Sequence, residues 1–180
     1  MFKKLAFALL TMTTSLAFAA DLPKNLTFSG KEYFHRWSDK NQHEFTPAKQ
    51  EDLSKWNDMM TINLYPQINN GDGLAGAANS ILGTYQQNRA MIVKTNSVPR
   101  TAKSEAEHLV VALFPQPTFI EAVFTRIKMT DGIGSSIVYS HREYGDKVGP
   151  QMSAWLQKNG PALEKDLMAL AVDVKAAAAK

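Results

Sequence analysis

Cysteine is absent from the whole 180-residue chain. This absence excludes disulfide bonds, cysteine-ligated zinc, iron–sulfur clusters and a thiol nucleophile. It also excludes a lipoprotein-type anchor, because that lipid is attached to a cysteine at the processing site. If the chain is exported to an oxidising compartment, its stability must come from the hydrophobic core without covalent cross-links.

Long hydrophobic runs are also missing after residue 20. A membrane-spanning helix needs roughly 20 mainly apolar residues, and no later segment approaches that length. We therefore expect no stable membrane insertion of the mature chain. The hydrophobic content of 44% is ordinary for a globular protein and too high for a disordered one.

Residues 1–19 have the pattern of a secretory signal peptide. Lys3 and Lys4 precede an apolar stretch from Leu5 to Leu10, and a Thr/Ser-rich run then ends in Ala17-Phe18-Ala19. A positive start, a short apolar middle and small residues at the last and third-last positions are what signal peptidase requires. The Thr/Ser-rich run is too polar for a membrane anchor. We predict cleavage after Ala19 and a periplasmic or secreted protein.

Charge of one sign does not dominate this chain. It has 20 Lys and Arg against 17 Asp and Glu, and loss of Lys3 and Lys4 with the leader leaves 18 against 17, a net charge of +1. The basic isoelectric point is therefore no argument for a nucleic-acid partner. Residues 20–180 suit a single domain.

The spacing of apolar residues predicts a mixture of strands and helices. After Met91 the connections are short, and Thr130-Asp131-Gly132 is a good hairpin corner, which favours neighbouring antiparallel strands. We predict an α+β domain with an antiparallel sheet of about five to seven strands, covered on one face by helices. A C-terminal helical region follows, and the tail from Ala176 to Ala179 should fray.

Three places in the chain have helix signals. Thr46-Pro47 is typical of a helix start, which predicts a short helix from Pro47 to Trp56. Apolar residues recur at three- and four-residue steps from Leu74 to Gln86, as in an amphipathic helix. Near the C-terminus, Asn159-Gly160-Pro161 predicts two successive helices, because glycine can end one helix and proline can begin the next.

Gly71-Asp72-Gly73-Leu74-Ala75-Gly76 matches the spacing of a dinucleotide-binding loop. That motif also needs a βαβ unit and an acidic residue about 20 positions later, and no Asp or Glu lies between Asp72 and Glu105. We interpret the match as a turn and a helix start, and we expect no cofactor.

Catalytic and metal-binding motifs are incomplete in this sequence. The four histidines, His35, His43, His108 and His141, each stand alone in their segments, without the H-E-x-x-H spacing of a catalytic zinc site. Gly132 to Ser136 lacks the order of a nucleophile elbow. We therefore assign neither catalytic nor metal-ligating residues. One alternative stays open, because His35 and His141 could meet across the sheet if they lay on adjacent strands.

Two polar-aromatic strand segments are the candidate ligand-binding site. Arginine beside tryptophan or tyrosine can bind an anion or a planar ligand. The candidate residues are His35, Arg36, Trp37, His141, Arg142 and Tyr144. The alternative interpretation is a solvated strand face with paired charges.

These observations favour a non-enzymatic exported domain that binds a partner protein or a small ligand, without nucleic acid. A metal-dependent or hydrolytic periplasmic enzyme using His35 and His141 is the first alternative. A toxin-neutralising or envelope-maintenance factor is the second.

The order of elements resembles the PsbP-like fold group, which includes extrinsic photosystem proteins and small bacterial periplasmic proteins. The likeness lies in Trp37-Ser38-Asp39, the strand from Met59 to Tyr65, the helix from Leu74 to Gln86, the strands through Tyr144 and the final helix. It covers most of the mature chain. The expected helix from Pro47 to Trp56 and the divided C-terminal helix depart from the pattern. The resemblance implies a fold only, and it assigns no functional residue.

Overall fold

The computed structural model describes residues 20–172 and 175–176. Residues 1–19, which hold the predicted signal peptide, and residues 177–180, at the end of the predicted tail, lie outside the described residues. In chain order the elements are β1 (Ala20–Asp21), β2 (Asn25–Phe28), β3 (Lys31–Asp39), β4 (Gln42–Pro47), β5 (Asp58–Tyr65), α1 (Gly71–Gln87), β6 (Met91–Val98), β7 (Glu107–Pro115), β8 (Phe119–Thr130), β9 (Ile133–Tyr144), α2 (Val148–Ala169) and β10 (Lys175–Ala176).

Eight of the described strands form one antiparallel sheet in the order β2-β3-β4-β5-β9-β8-β7-β6, and β1 pairs separately with β10. The α+β class and the antiparallel sheet are thus confirmed. The predicted count of five to seven strands was too low. The short β2 and the exposed β6 both join the sheet as edge strands, where few core contacts are required.

Two-residue turns produce the tightest hairpins. Ser29-Gly30 joins β2 to β3, and Asp131-Gly132 joins β8 to β9, with positive φ at all four residues. Positive φ at both central residues defines the turn whose twist matches that of paired strands. The Asp-Gly corner expected from the sequence is therefore confirmed.

The two helices cover opposite faces of the sheet. On β7, Leu109 and Val111 pack with the α2 residues, whereas Val110 and Ala112 pack with the α1 residues. Successive side chains of a strand point to opposite faces, so a strand that is apolar at almost every position needs cover on both sides. The prediction of helices on one face was wrong for this reason.

Helix α1 begins where the glycine-rich segment was expected to begin a helix. The side chain of Asn70 caps it by accepting a hydrogen bond of 2.9 Å from the amide of Gly73. Leu74, Ala78 and Ile81 on its buried side then pack on the sheet. The three glycines of the motif thus belong to a capped helix start.

The predicted helix from Pro47 to Trp56 is absent, and this segment is irregular. Pro47 is the last residue of β4, paired with Tyr33. Thr46 donates its hydroxyl hydrogen to the Gln50 carbonyl, so it does not cap a following turn. Lys49 has a φ of 68°, which is incompatible with a right-handed helix.

Helix α2 is continuous, so the predicted division at Asn159-Gly160-Pro161 was also wrong. The Asn159 side chain donates to the Trp155 carbonyl at 2.9 Å, within the helix. Gly160 is buried where a Cβ atom would contact the ring of Phe124 at 3.9 Å. This distance is an ordinary van der Waals contact, and the glycine lies inside the helix and does not end it.

Among residues 20–172 and 175–176, neither helix has the length and apolar character needed to cross a bilayer.

Candidate functional site

A cleft of about 260 Å³ opens between the sheet and α2, beside the β2–β3 hairpin. The sheet contributes one wall and the middle of α2 the other. The side chains used below are Lys31, Asp58, Tyr139 and His141 from the strands and Trp155, Lys158 and Asn159 from the helix.

Asp58, the first residue of β5, is the central polar group of this cleft. It is 6% exposed, and its carboxylate accepts three hydrogen bonds. Tyr139 donates at 2.8 Å and His141 Nδ1 at 2.9 Å, both to Oδ1, and Lys31 Nζ donates to Oδ2 at 2.8 Å. Three donors satisfy a buried carboxylate that would otherwise be costly.

Strand register brings these groups together. Asp58 and His141 are direct partners in the β5–β9 ladder, and Tyr139 lies two residues from His141 on the same face. Lys31 begins β3, immediately after the Ser29-Gly30 turn, and its half-exposed ammonium lies at the mouth of the cleft.

Electrostatics keep the carboxylate ionised and the phenol neutral. Burial raises the pKa of Asp58, but hydrogen bonds from His141, Lys31 and Tyr139 and the charge of Lys31 outweigh this effect, so the pKa lies well below its usual range. Burial, followed by the negative charge of Asp58, raises the pKa of Tyr139 far above that of a free phenol. Tyr139 therefore remains a hydrogen-bond donor at neutral pH.

His141 is held on three sides. Its Nδ1 contacts Asp58, its Nε2 lies 3.1 Å from Glu143 Oε1, and its ring lies against Trp155. Ionised carboxylates only accept hydrogen bonds, so both ring nitrogens of His141 face acceptor groups within the fold.

Of the six residues predicted for a ligand site, only His141 lines the cleft. Arg142 and Tyr144 lie on the opposite face of β9. Val138 lies on that same face and packs with the α1 residues. The Arg142 guanidinium is 3.7 Å from the ring centroid of Trp56 and makes an ion pair of 2.9 Å with Glu121. Arg142 thus has an anionic partner and an aromatic partner within the fold.

Tyr144 and Arg142 together hold the irregular segment that follows β4. Tyr144 donates to the Trp56 carbonyl at 2.8 Å, and the backbone amide of Arg142 donates to the Asn57 carbonyl at 2.8 Å. These contacts give the pair a structural role.

His35, Arg36 and Trp37 lie on β3, with β4 and β5 between them and β9. Arg36 donates to the Thr46 hydroxyl at 3.0 Å, and Trp37 is 40% exposed. The two predicted segments therefore do not form one site. The alternative of an enzyme that uses both His35 and His141 required these histidines to lie on adjacent strands. They do not, because β4 and β5 lie between β3 and β9.

Sequence reasoning missed Asp58, Tyr139, Lys31 and Trp155. The alternation of Tyr139 and His141 along β9 was a usable signal for one polar strand face. Their pairing with Asp58 depends on the β5–β9 register, which the separate segments do not reveal. Among the described residues, no group of three or more histidines and acidic residues is arranged to hold a metal ion.

The fold and the cleft define an α+β domain with a small, preformed pocket against one helix. The chain belongs to a protein family whose sequence model matches residues 20–172. That span contains the whole eight-stranded sheet and both helices. No curated protein matches the chain.

Solved structures show distant likenesses. The Ran-binding protein Mog1p of Saccharomyces cerevisiae is similar with a TM-score of 0.46 and 6% identity, over 84% of this chain and 94% of Mog1p. A point mutant of Mog1 gives 0.46 and 8% identity, over 83% and 96%. Human STARD10 gives 0.32 and 6%, over 75% and 71%. At these values the likenesses carry no statement about function.

Proposed function

We propose that this protein is an exported, non-enzymatic domain that binds a small ligand in the cleft between the sheet and α2. The observation that carries the proposal is the buried Asp58 carboxylate, fixed by Tyr139, His141 and Lys31 in the wall of an open cleft.

Preformed polar groups on rigid elements favour binding. Ligand sites are typically concave, with apolar walls and a few fixed polar groups. Here Trp155 and Leu163 of α2 and Phe28 of the hairpin supply apolar wall, and the Asp58 cluster supplies the polar part. The volume of about 260 Å³ lies just below the usual range for drug-sized ligands, so the ligand should be small.

The same geometry argues against catalysis by His141. A general base needs a free ring nitrogen within reach of the substrate, and both nitrogens of His141 contact carboxylates. The cluster therefore supports recognition of a ligand by hydrogen bonding and shape.

Two tryptophan variants on α2 test the cleft. Ala162 lines it, so Ala162→Trp should fill it, whereas Ala154 is exposed on the same helix and does not line it. A library of small carboxylates, amines and sugars is screened by two-dimensional NMR, following the Trp155 indole signal. We expect compounds that shift this signal in wild type and Ala154→Trp but not in Ala162→Trp. A library in which no compound separates the two variants contradicts the proposal.

Export is tested independently of binding. The basis is the pattern of residues 1–19, with alanine at positions 17 and 19. Mass spectrometry of protein recovered from the envelope fraction should show Ala20 as the first residue. Recovery of the intact initiator end from the cytosol contradicts export and leaves the cleft proposal standing.

A further inference from the structure

Two histidine rings on neighbouring strands point at the same hydroxyl group, outside the cleft. His35 Nε2 lies 2.6 Å from Ser38 Oγ, and His43 Nδ1 lies 2.7 Å from the same atom. The ring centroids are 6.4 Å apart. Both imidazoles thus face one point from two strands.

A β-bulge in β3 produces this arrangement. In a regular strand, residues 35 and 38 would point to opposite faces because their separation is odd. The register shifts between His35 and Trp37, so that His35 pairs with Phe45 and Ser38 pairs with His43. His43 and Phe45 share one face of β4, which places all three polar side chains on the α2 side. Bulges commonly re-aim side chains in this way.

The two rings differ in access to solvent. His43 is 7% exposed, and its Nε2 has no hydrogen-bond partner among the described residues. His35 is exposed, and its ring packs edge-on against Phe45 with centroids 5.2 Å apart. One imidazole is therefore fixed in the fold, and the other is reachable from outside.

The serine hydroxyl now occupies the point that both rings face. It can donate its hydrogen to one ring nitrogen and accept a hydrogen from the other, so the contact is a hydrogen-bonded bridge between the two imidazoles. A metal ion accepts the lone pairs of two imidazoles at the same time, and neutral imidazole is the commonest metal ligand in proteins.

We propose that His35 and His43 bind one divalent transition-metal ion, with water completing its coordination and the Ser38 hydroxyl displaced. Imidazole suits Zn²⁺, Ni²⁺ and Cu²⁺, and nitrogen sites of this kind bind Cu²⁺ most tightly among the divalent first-row ions. The site is separate from the cleft, because His35, Ser38 and His43 are not among the residues that line the cleft. The proposal therefore does not depend on the proposed ligand binding.

The chain offers a matched control at His108. Its Nδ1 lies 2.9 Å from the Ser97 hydroxyl on the neighbouring strand, and its Nε2 is also unpartnered among the described residues. This is the same cross-strand histidine–serine contact with one histidine instead of two. If one imidazole were enough to bind the metal ion, substitution of His108 and substitution of His35 would therefore have the same effect on copper affinity.

The test is a calorimetric titration of the tag-free protein with CuCl₂, together with electron paramagnetic resonance of the copper-loaded protein. We expect one Cu²⁺ per chain, hyperfine coupling to two nitrogens, and an affinity about tenfold or more lower in His35→Gln. His43→Gln should lose one nitrogen coupling, and His108→Gln should match wild type.

Ser38→Ala distinguishes a metal site from a purely structural contact. If the histidines exist to hold Ser38, its removal abolishes their arrangement and weakens copper binding. If they form the metal site, Ser38→Ala binds Cu²⁺ at least as tightly as wild type, because a competing hydrogen bond is gone. Because His35 is exposed, His35→Gln should fold normally, and unchanged copper affinity in that variant overturns the proposal.

Discussion

The imidazole of His141 lies parallel to the indole of Trp155, with ring centroids 3.9 Å apart and an interplanar angle of 2°. Trp155 also stacks on Tyr139 at 6.4 Å and packs edge-on against Phe124 at 6.5 Å. The indole thus connects α2 to β8 and β9. It also covers the Asp58 cluster on the side of the cleft.

Trp155→Ala should therefore destabilise the protein. Loss of the aromatic contacts and the cavity left behind predict a decrease of about 3 kcal/mol in the free energy of unfolding, whereas Trp155→Phe keeps part of the packing and should cost less. Urea denaturation followed by circular dichroism measures both. Trp37→Ala is the control, since Trp37 is 40% exposed and should change stability by less than about 0.5 kcal/mol. Equal losses at the two tryptophans would contradict this assignment.

Asp58 should make the stability of the protein depend on pH in the acid range. Its pKa is depressed in the folded state, so the folded protein binds fewer protons than the unfolded chain near pH 4. The stabilisation is fully present above the unfolded pKa of about 4 and is lost as pH falls from there towards the folded pKa. Urea denaturation from pH 7 to pH 3 should show this loss in wild type and a shallower slope in Asp58→Asn.

At neutral pH, Asp58→Asn should cost about 3–5 kcal/mol, because Lys31 and His141 then face a group without charge. The companion variant Lys31→Met should cost less, since the Lys31 side chain is half exposed and the other two donors remain. Stability curves of wild type and Asp58→Asn that run parallel below pH 5 would count against the role given to this carboxylate.

Arg126 should hold the C-terminal end of α2 on the sheet. Its guanidinium donates to the carbonyls of Leu167 and Leu170 at 3.0 and 2.8 Å and makes two bonds of 2.8 and 2.9 Å to Glu107. Arg126→Met leaves the helix end and the carboxylate without this donor, so we expect a loss of about 3–5 kcal/mol.

Hydrogen exchange locates the effect of Arg126→Met. Amides in the last turn of α2 should exchange faster than those near Met152. Arg126→Lys should restore only part of the stability, because one ammonium does not reproduce the forked geometry of a guanidinium. Adding Glu107→Leu to Arg126→Met should recover part of the loss, as the unpaired carboxylate is removed. Uniform hydrogen exchange along α2 in Arg126→Met would show that Arg126 does not act locally on the C-terminal end of the helix.

The strands were the most predictable part of the fold. Alternating apolar residues and the Asp131-Gly132 turn carry local information, and strand β9 begins at Ile133, directly after this turn. The two wrong helix predictions came from residues that occur in more than one kind of local structure. Pro47 fits the last position of strand β4 as well as a helix start, and Pro161 stays inside α2. The local sequence does not show which of these structures tertiary packing selects.

The candidate site was less predictable than the fold. His141 was identified from its polar-aromatic segment, but its neighbours in that segment, Arg142 and Tyr144, point to the other face because side chains alternate along a strand. Asp58 became a site residue only through the register with β9. The β-bulge at Arg36 likewise places His35 on the same face of the sheet as His43. No residue type in the segment predicts a bulge at this position. The resemblance to the PsbP-like group and the export of the chain stay predictions.

Two glycines should respond in opposite directions to the same substitution. A Cβ atom at Gly134 would lie 2.8 Å from Ile68 Cγ2 and 2.9 Å from Ile68 Cβ, whereas one at Gly76 would have nothing within 4 Å. Gly134 also donates its amide to the Ile68 carbonyl at 2.7 Å, so the two backbones cannot easily separate. Gly134→Ala should therefore cost about 1–3 kcal/mol through overpacking.

Gly76 lies inside α1, where alanine has the higher helix propensity, so Gly76→Ala should stabilise the protein by about 0.5–1 kcal/mol. Urea denaturation of both single variants measures the contrast. The double variant Gly134→Ala with Ile68→Gly tests the cause, because removal of both Ile68 Cγ2 and Ile68 Cβ should make the cost of the added methyl group small. If Gly134→Ala costs the same with and without Ile68, the loss comes from the backbone of Gly134 and not from the contact with Ile68.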